Sequence, residues 1–136
     1  MPLANQPARI LLIEDSEIDT FIFQLVIRKT LDNPIIESFR NGADAIERLI
    51  SLKSNGYELL PDFIFLDLAM PVMNGWQFVD EFNRLNIDPI GKSKIYVLSS
   101  SIKKLDVLKS NAEPRVENFL SKPIDFDKIK AVFYSN

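Results

Sequence analysis

The chain is predicted to be an α/β protein, a doubly wound parallel sheet with helices on both faces. Three observations predict it. Short apolar runs alternate with longer segments whose apolar residues recur near the helical period, giving five βα units. The runs, best seen in Phe63-Ile64-Phe65-Leu66, are near-continuously apolar, as strands covered on both faces must be. Charged residues stand just after the runs, at the strand ends where open α/β sheets collect their chemistry.

Taken in order, Ala8 to Ile13 reads as the first strand, closed by Glu14 and Asp15. From Glu17 the apolar positions Ile18, Phe21, Ile22, Leu25 and Val26 follow a period near 3.6 up to Leu31, an amphipathic helix with Ser16 as its N-cap. Asp32-Asn33-Pro34 breaks it. Ile35 to Phe39 is a short strand. Asn41-Gly42 opens a second helix with Ala43, Ile46, Leu49, Ile50 and Leu52 on its inner face, ended by Ser54-Asn55-Gly56. Asp62 to Leu66 is the third strand. After Met70-Pro71 and Asn74-Gly75, residues 76–86 form a helix carrying Trp76, Phe78, Val79, Phe82 and Leu85. A polar loop leads to the fourth strand, Ile95 to Leu98, followed by Ser99-Ser100-Ser101. Ile102 to Ser110 is weakly helical, Val116 to Leu120 is a fifth strand, and Phe126 to Phe133 a closing helix. No repeat or linker interrupts this pattern, so residues 1–136 are expected to form one domain, with residues 1–7 a flexible N-terminus.

Composition removes several function classes. The 136 residues contain no cysteine and no histidine, which excludes disulfides, Ser-His-Asp and Cys-His nucleophiles, and His-ligated metals. Any metal must be held by oxygen, which suits hard divalent cations. The net charge of −3 and the lack of a Lys/Arg block argue against direct DNA binding. No apolar run approaches membrane-spanning length and no secretory signal opens the chain, so no membrane association and a cytoplasmic location are expected.

What remains is a charge-dense set at strand ends: Glu14 and Asp15 after the first, Asp67 after the third, Ser99 after the fourth, Lys122 after the fifth. If the first and third strands are neighbours, three carboxylates converge and repel, and Mg²⁺ relieves the repulsion. Mg²⁺ binds one or two carboxylates and then favours a phosphoryl group, and a carboxylate such as Asp67 serves as a nucleophile for phosphoryl transfer. Lys122 would neutralise the charge that Mg²⁺ does not, and the hydroxyl of Ser99 would bond a phosphoryl oxygen. The same residues taken singly have plainer roles: Glu14 and Asp15 as helix-start charges, Ser99 as a cap, Lys122 as a surface lysine.

In this set the chain resembles a receiver domain of the two-component response-regulator family, similar to stand-alone CheY-like members. The residues that carry the resemblance are Ile13-Glu14-Asp15, the stretch Asp67-Leu-Ala-Met-Pro-Val-Met-Asn-Gly75, Leu98-Ser99 and Lys122-Pro123, in the family's order and close to its spacing. The resemblance implies a flavodoxin-like (βα)5 three-layer sandwich with strand order 2-1-3-4-5. It implies that Asp67 is phosphorylated from a phosphohistidine of a sensor histidine kinase or histidine phosphotransfer protein. Asp15 and Asp67 would ligate Mg²⁺, Glu14 would assist through water, and the Ala69 carbonyl would be a further ligand. Lys122 would pair with the phosphoryl group, with a cis Lys122–Pro123 bond. Ser99 and the aromatic Phe119 would act as switch residues, changing the surface of the fourth helix, fifth strand and fifth helix that a downstream target reads. The chemistry would be confined to loading and unloading Asp67, with no other enzymatic activity.

The sequence departs from the family at several points. Serine stands where threonine is commoner, and Ser100 is an alternative hydroxyl. Phe119 lacks the hydroxyl of the usual tyrosine and equally suits the core, and Asn111 to Val116 replaces a small-residue turn. Two rival functions stay open: a receiver-fold interaction module indifferent to phosphorylation, and a Mg²⁺-dependent phosphatase. The latter's usual Asp-x-Asp pattern would need an acid where this chain has Ala69.

Overall fold

The computed structural model describes residues 6–70, 73–101 and 103–134. Five strands, β1 (Arg9–Ile13), β2 (Ile35–Phe39), β3 (Phe63–Asp67), β4 (Lys94–Ser99) and β5 (Val116–Ser121), pair in parallel in the order β2-β1-β3-β4-β5. The helices are α1 (Glu17–Thr30), α2 (Gly42–Asn55), α3 (Gly75–Arg84), α4 (Lys104–Ala112) and α5 (Phe126–Tyr134). This is the predicted doubly wound, flavodoxin-like sandwich. Of the expected N-terminal segment, residues 1–5 lie outside the described residues, as do Pro71 and Val72 of the turn after β3 and the expected start of α4 at Ile102.

Side-chain alternation along the strands divides the core into two layers. Leu11, Ile13, Ile64, Leu66, Ile95 and Val97 face the α2 and α3 residues Ala45, Leu49, Phe78, Val79 and Phe82. Ile10, Leu12, Phe63, Phe65, Tyr96 and Leu98 face Phe23 and Ile27 of α1 and Ile129, Val132 and Phe133 of α5. In the second layer Phe65 meets Phe23 edge-on with ring centroids 4.8 Å apart, and Phe63 meets Phe133 likewise at 4.8 Å. Such contacts add about 0.5–1.5 kcal/mol each beyond burial.

Two helix faces differ from expectation. In α1 the buried residues are Phe23 and Ile27, while Ile18 and Phe21 are 72% and 64% exposed and Ile22 and Leu25 are also exposed. The edge-on seat of Phe23 against Phe65 fixes the helix rotation and turns the longer apolar stripe outward. In α2, Ala45 takes the inner position expected of Ala43, and Ile50 is exposed. The caps agree with the sequence: Ser16 Oγ accepts from the Asp19 N–H, and Asn41 caps α2 through the Asp44 N–H. A 3-10 turn at Tyr57–Leu59, not foreseen, precedes β3.

α4 is the most loosely seated helix, burying only Ser110 and leaving Leu105 and Leu108 exposed. Polar contacts tie it to α3: Trp76 Nε1 donates to Asp106 Oδ1 at 3.0 Å, and Lys109 lies over the Trp76 ring.

Candidate functional site

Parallel strands bring all the strand C-termini to one edge, and the crossover between β1 and β3 puts the acidic pair next to Asp67. Each residue is fixed by its own backbone. The Glu14 N–H donates to Phe39 O at 2.9 Å, carrying the chain one residue past β1 and placing the Glu14 side chain inward, where it is 3% exposed. Asp67 ends β3, is 4% exposed, and accepts the Ala69 N–H on Oδ1 at 3.2 Å. Lys122 follows β5; its N–H donates to Ser99 O at 2.8 Å, and the Lys122–Pro123 bond is cis.

The loop after Asp67 folds back because position 75 is glycine. A β-carbon there would lie 2.7 Å from Leu68 Cδ2, 2.9 Å from Leu68 Cα and 3.0 Å from the Asp67 carbonyl oxygen. The Gly75 N–H donates to Leu68 O at 3.2 Å, and Asn74 and Gln77 form a reciprocal capping box that starts α3. The Asn74-Gly75 pair noted in the sequence thus closes the loop against β3.

Carboxylate oxygens of Glu14, Asp15 and Asp67 lie within 4.8 Å of one another. Lys122 Nζ stands among them, 2.5 Å from Glu14 Oε1 and 3.6 Å from Asp67 Oδ2. It also donates to Asp19 Oδ2 at 3.2 Å, from the first turn of α1. The sequence reading missed Asp19. Its only signal is position: four residues past Asp15, one helical turn along.

The electrostatics follow from this crowding. Burial, reinforced by the Asp67 carboxylate, pushes the Glu14 carboxyl up to about 8 despite the opposing pull of Lys122. Burial alone would lower Lys122, but Glu14, Asp67 and Asp19 outweigh it and raise the ammonium above its ordinary value. Glu14 Oε2 is buried with no hydrogen-bond partner. A buried, unpartnered carboxylate oxygen beside two further acids is what a hard divalent cation satisfies, so the donor set fits Mg²⁺.

The remaining expected residues are close by but differently engaged. Ser99, at the end of β4, is buried, and its hydroxyl is taken up locally: Oγ donates to Ser101 O at 2.7 Å and accepts the Ser101 N–H at 3.2 Å. Ser100 is exposed. Phe119 is half-buried and packs against the core layer under α2 and α3. Ala69 is exposed at the mouth of the site.

The family described as "Response regulator receiver domain" matches residues 10–134. Among solved structures, a two component response regulator from Cytophaga hutchinsonii is similar with a TM-score of 0.82 and 30% identity, covering 95% of this chain and 96% of that one. Among curated proteins, the probable methanogenesis regulatory protein FilR2 of Methanothrix harundinacea is 26% identical over 93% of this chain and 79% of its own. A protein-glutamate methylesterase/protein-glutamine glutaminase of Treponema denticola is 31% identical over 71% of this chain, which spans only 23% of that protein. Matched from the first strand to the last helix, and holding its charged residues at the strand ends, the chain belongs to the response regulator receiver domain family.

Proposed function

We propose that Asp67 is the phosphoryl acceptor, loaded from a phosphohistidine of a sensor histidine kinase or histidine phosphotransfer protein. The observation that carries this is the setting of Asp67. Its carboxylate is buried, anchored on Oδ1 by the Ala69 N–H, and its Oδ2 faces Lys122 at 3.6 Å. A carboxylate oxygen attacks phosphorus as the phosphorus–nitrogen bond of the donor breaks, and the imidazole leaves with the electron pair. Lys122 supplies a fixed positive charge toward the oxygens that gain negative charge. Glu14, Asp15 and Asp67, with the Ala69 carbonyl, are the groups that would hold Mg²⁺, which when bound supplies charge neutralisation and orientation. None of the 136 residues is a histidine, so the donor group is not among them.

The switch in this reading runs through Ser99 and Phe119. The Ser99 hydroxyl exchanges its bonds to Ser101 for one to the phosphoryl group, and half-buried Phe119 follows it inward. Loosely seated α4 then resets the face formed with β5 and α5 for a downstream protein. The chemistry is confined to loading and unloading Asp67.

The test is intact mass after incubation with Mg²⁺ and a small phosphodonor. One phosphoryl adduct in the wild type, absent in Asp67→Ala and absent when EDTA replaces Mg²⁺, is the expected result. An adduct that persists in Asp67→Ala contradicts the assignment. Absence of any adduct, with partner affinity indifferent to phosphodonor, would favour a phosphorylation-independent interaction module.

A further inference from the structure

We infer that Asp19 is a positioning residue that holds the Lys122 ammonium off the acceptor carboxylate and thereby slows the loading of Asp67. The inference rests on Asp67 being the acceptor. Lys122 Nζ has three acidic neighbours at unequal distances: Glu14 at 2.5 Å, Asp19 at 3.2 Å and Asp67 at 3.6 Å. Only the first two accept hydrogen bonds from it. The cation most useful to the incoming phosphoryl group is therefore bonded elsewhere in the unloaded protein.

The two competitors are not alike. Glu14 is buried and belongs to the acidic set suited to a cation, so a bound cation would draw it away from Lys122. Asp19 lies outside that set, on the first turn of α1, with its backbone N–H bonded to the Ser16 cap and its side chain 44% exposed. A cation held by Glu14, Asp15 and Asp67 would leave its hold on Lys122 in place. A cavity of about 50 Å³ opens on this side of the lysine, lined by Asp19, Glu14, Lys122, Ile22, Pro123 and Ile124 among others, and Asp67 takes no part in its wall. Lys122 thus has two places to put its charge, one toward Asp67 and one toward Asp19 and the cavity.

The experiment compares the second-order rate constant for phosphorylation by phosphoramidate, at saturating Mg²⁺, in wild type, Asp19→Asn and Glu17→Gln. Glu17 is the control: it is on the same helical turn, removes the same charge, and pairs with Arg40 instead of Lys122. Asp19→Asn is expected to raise the rate by about two- to fivefold, the size of effect one partly exposed ion pair can exert. Glu17→Gln is expected to stay close to the wild type. A merely structural contact would not give a gain in rate when lost. A rate for Asp19→Asn equal to or below the wild type, or an equal gain in Glu17→Gln, overturns the inference while leaving Asp67 as acceptor intact. A wild type that takes up no phosphoryl group removes the acceptor reading and this inference with it.

Discussion

Lys122 and Asp67 leave strands separated by β4, yet bring Nζ and Oδ2 to 3.6 Å. The lysine reaches across because Lys122 is tied to the end of β4 through its N–H bond to Ser99 O. The ammonium is then drawn into a crevice holding more carboxylates than it can neutralise. Everything proposed for the site depends on this excess of negative charge and on the ammonium of Lys122 set within it.

Replacing that cation tests its part directly. Lys122→Met keeps a similar stem and removes the charge. Phosphorylation from a small donor is expected to slow by roughly 100-fold, as when one preorganised electrostatic contact is lost. Mg²⁺ affinity is expected to hold or rise, because a competing positive charge is gone. Stopped-flow phosphorylation and a Mg²⁺ titration check the two expectations separately.

Glu14 gives the apo protein a pH dependence whose sign is fixed by its raised value. A carboxyl at about 8 in the folded chain, against an ordinary 4.5 when unfolded, binds its proton more tightly when folded. Its contribution is present below about pH 4.5 and is lost as pH rises toward 8. The groups facing it are Lys122, Asp67 and Asp15. Urea unfolding in EDTA should therefore show stability falling between pH 5 and 8, and Glu14→Gln should flatten that slope. A slope of the same steepness in Glu14→Gln refutes the assignment.

Gly75→Ala should destabilise the protein by about 1–3 kcal/mol, because the added methyl meets the Leu68 backbone and the neighbour that must yield is main chain. The loop that carries Asp67 shifts with it, so phosphorylation should slow in the folded variant. Chemical denaturation and the phosphorylation rate, taken on one sample, check both.

Trp76→Phe keeps the ring's apolar body and loses the donor to Asp106. The bond is worth about 1 kcal/mol. Because α4 has few other anchors, the loss should appear as faster amide exchange in residues 104–112 and leave β1 and β3 protected. Equal acceleration throughout would mean that the bond supports the whole fold and not α4 alone.

Most of the fold was legible because β1, β3 and β4 are short apolar runs that end in chemically distinct residues, and helical periods separate all five strands. Which strands are neighbours is not written in the runs; the order 2-1-3-4-5 came from the resemblance to the receiver family, and with it the convergence of Glu14, Asp15, Asp67 and Lys122. The rotation of α1 was not legible. Ile18, Phe21, Ile22 and Leu25 make as good a helical stripe as any core face, and only the seat of Phe23 against Phe65 shows that the stripe faces outward. The face of α2 slipped for a similar reason, small Ala45 taking the inner place. Asp19 escaped because its partner is 103 residues away in sequence, and no local pattern links a helix acid to a lysine after β5. Asp88 escaped too: it sits in what reads as a polar loop, yet it is fully buried, accepting from the Ser93 N–H at 2.7 Å and from Arg115 at 2.9 Å. A buried acid needs its partners in three dimensions before its role can be read.

The most direct measurement of the central claim is peptide mapping by mass spectrometry after phosphorylation in Mg²⁺, with borohydride trapping of the acyl phosphate. The modification should fall on the peptide containing Asp67 and on no other acid of the cluster. A label on Glu14, Asp15 or Asp19 would contradict it.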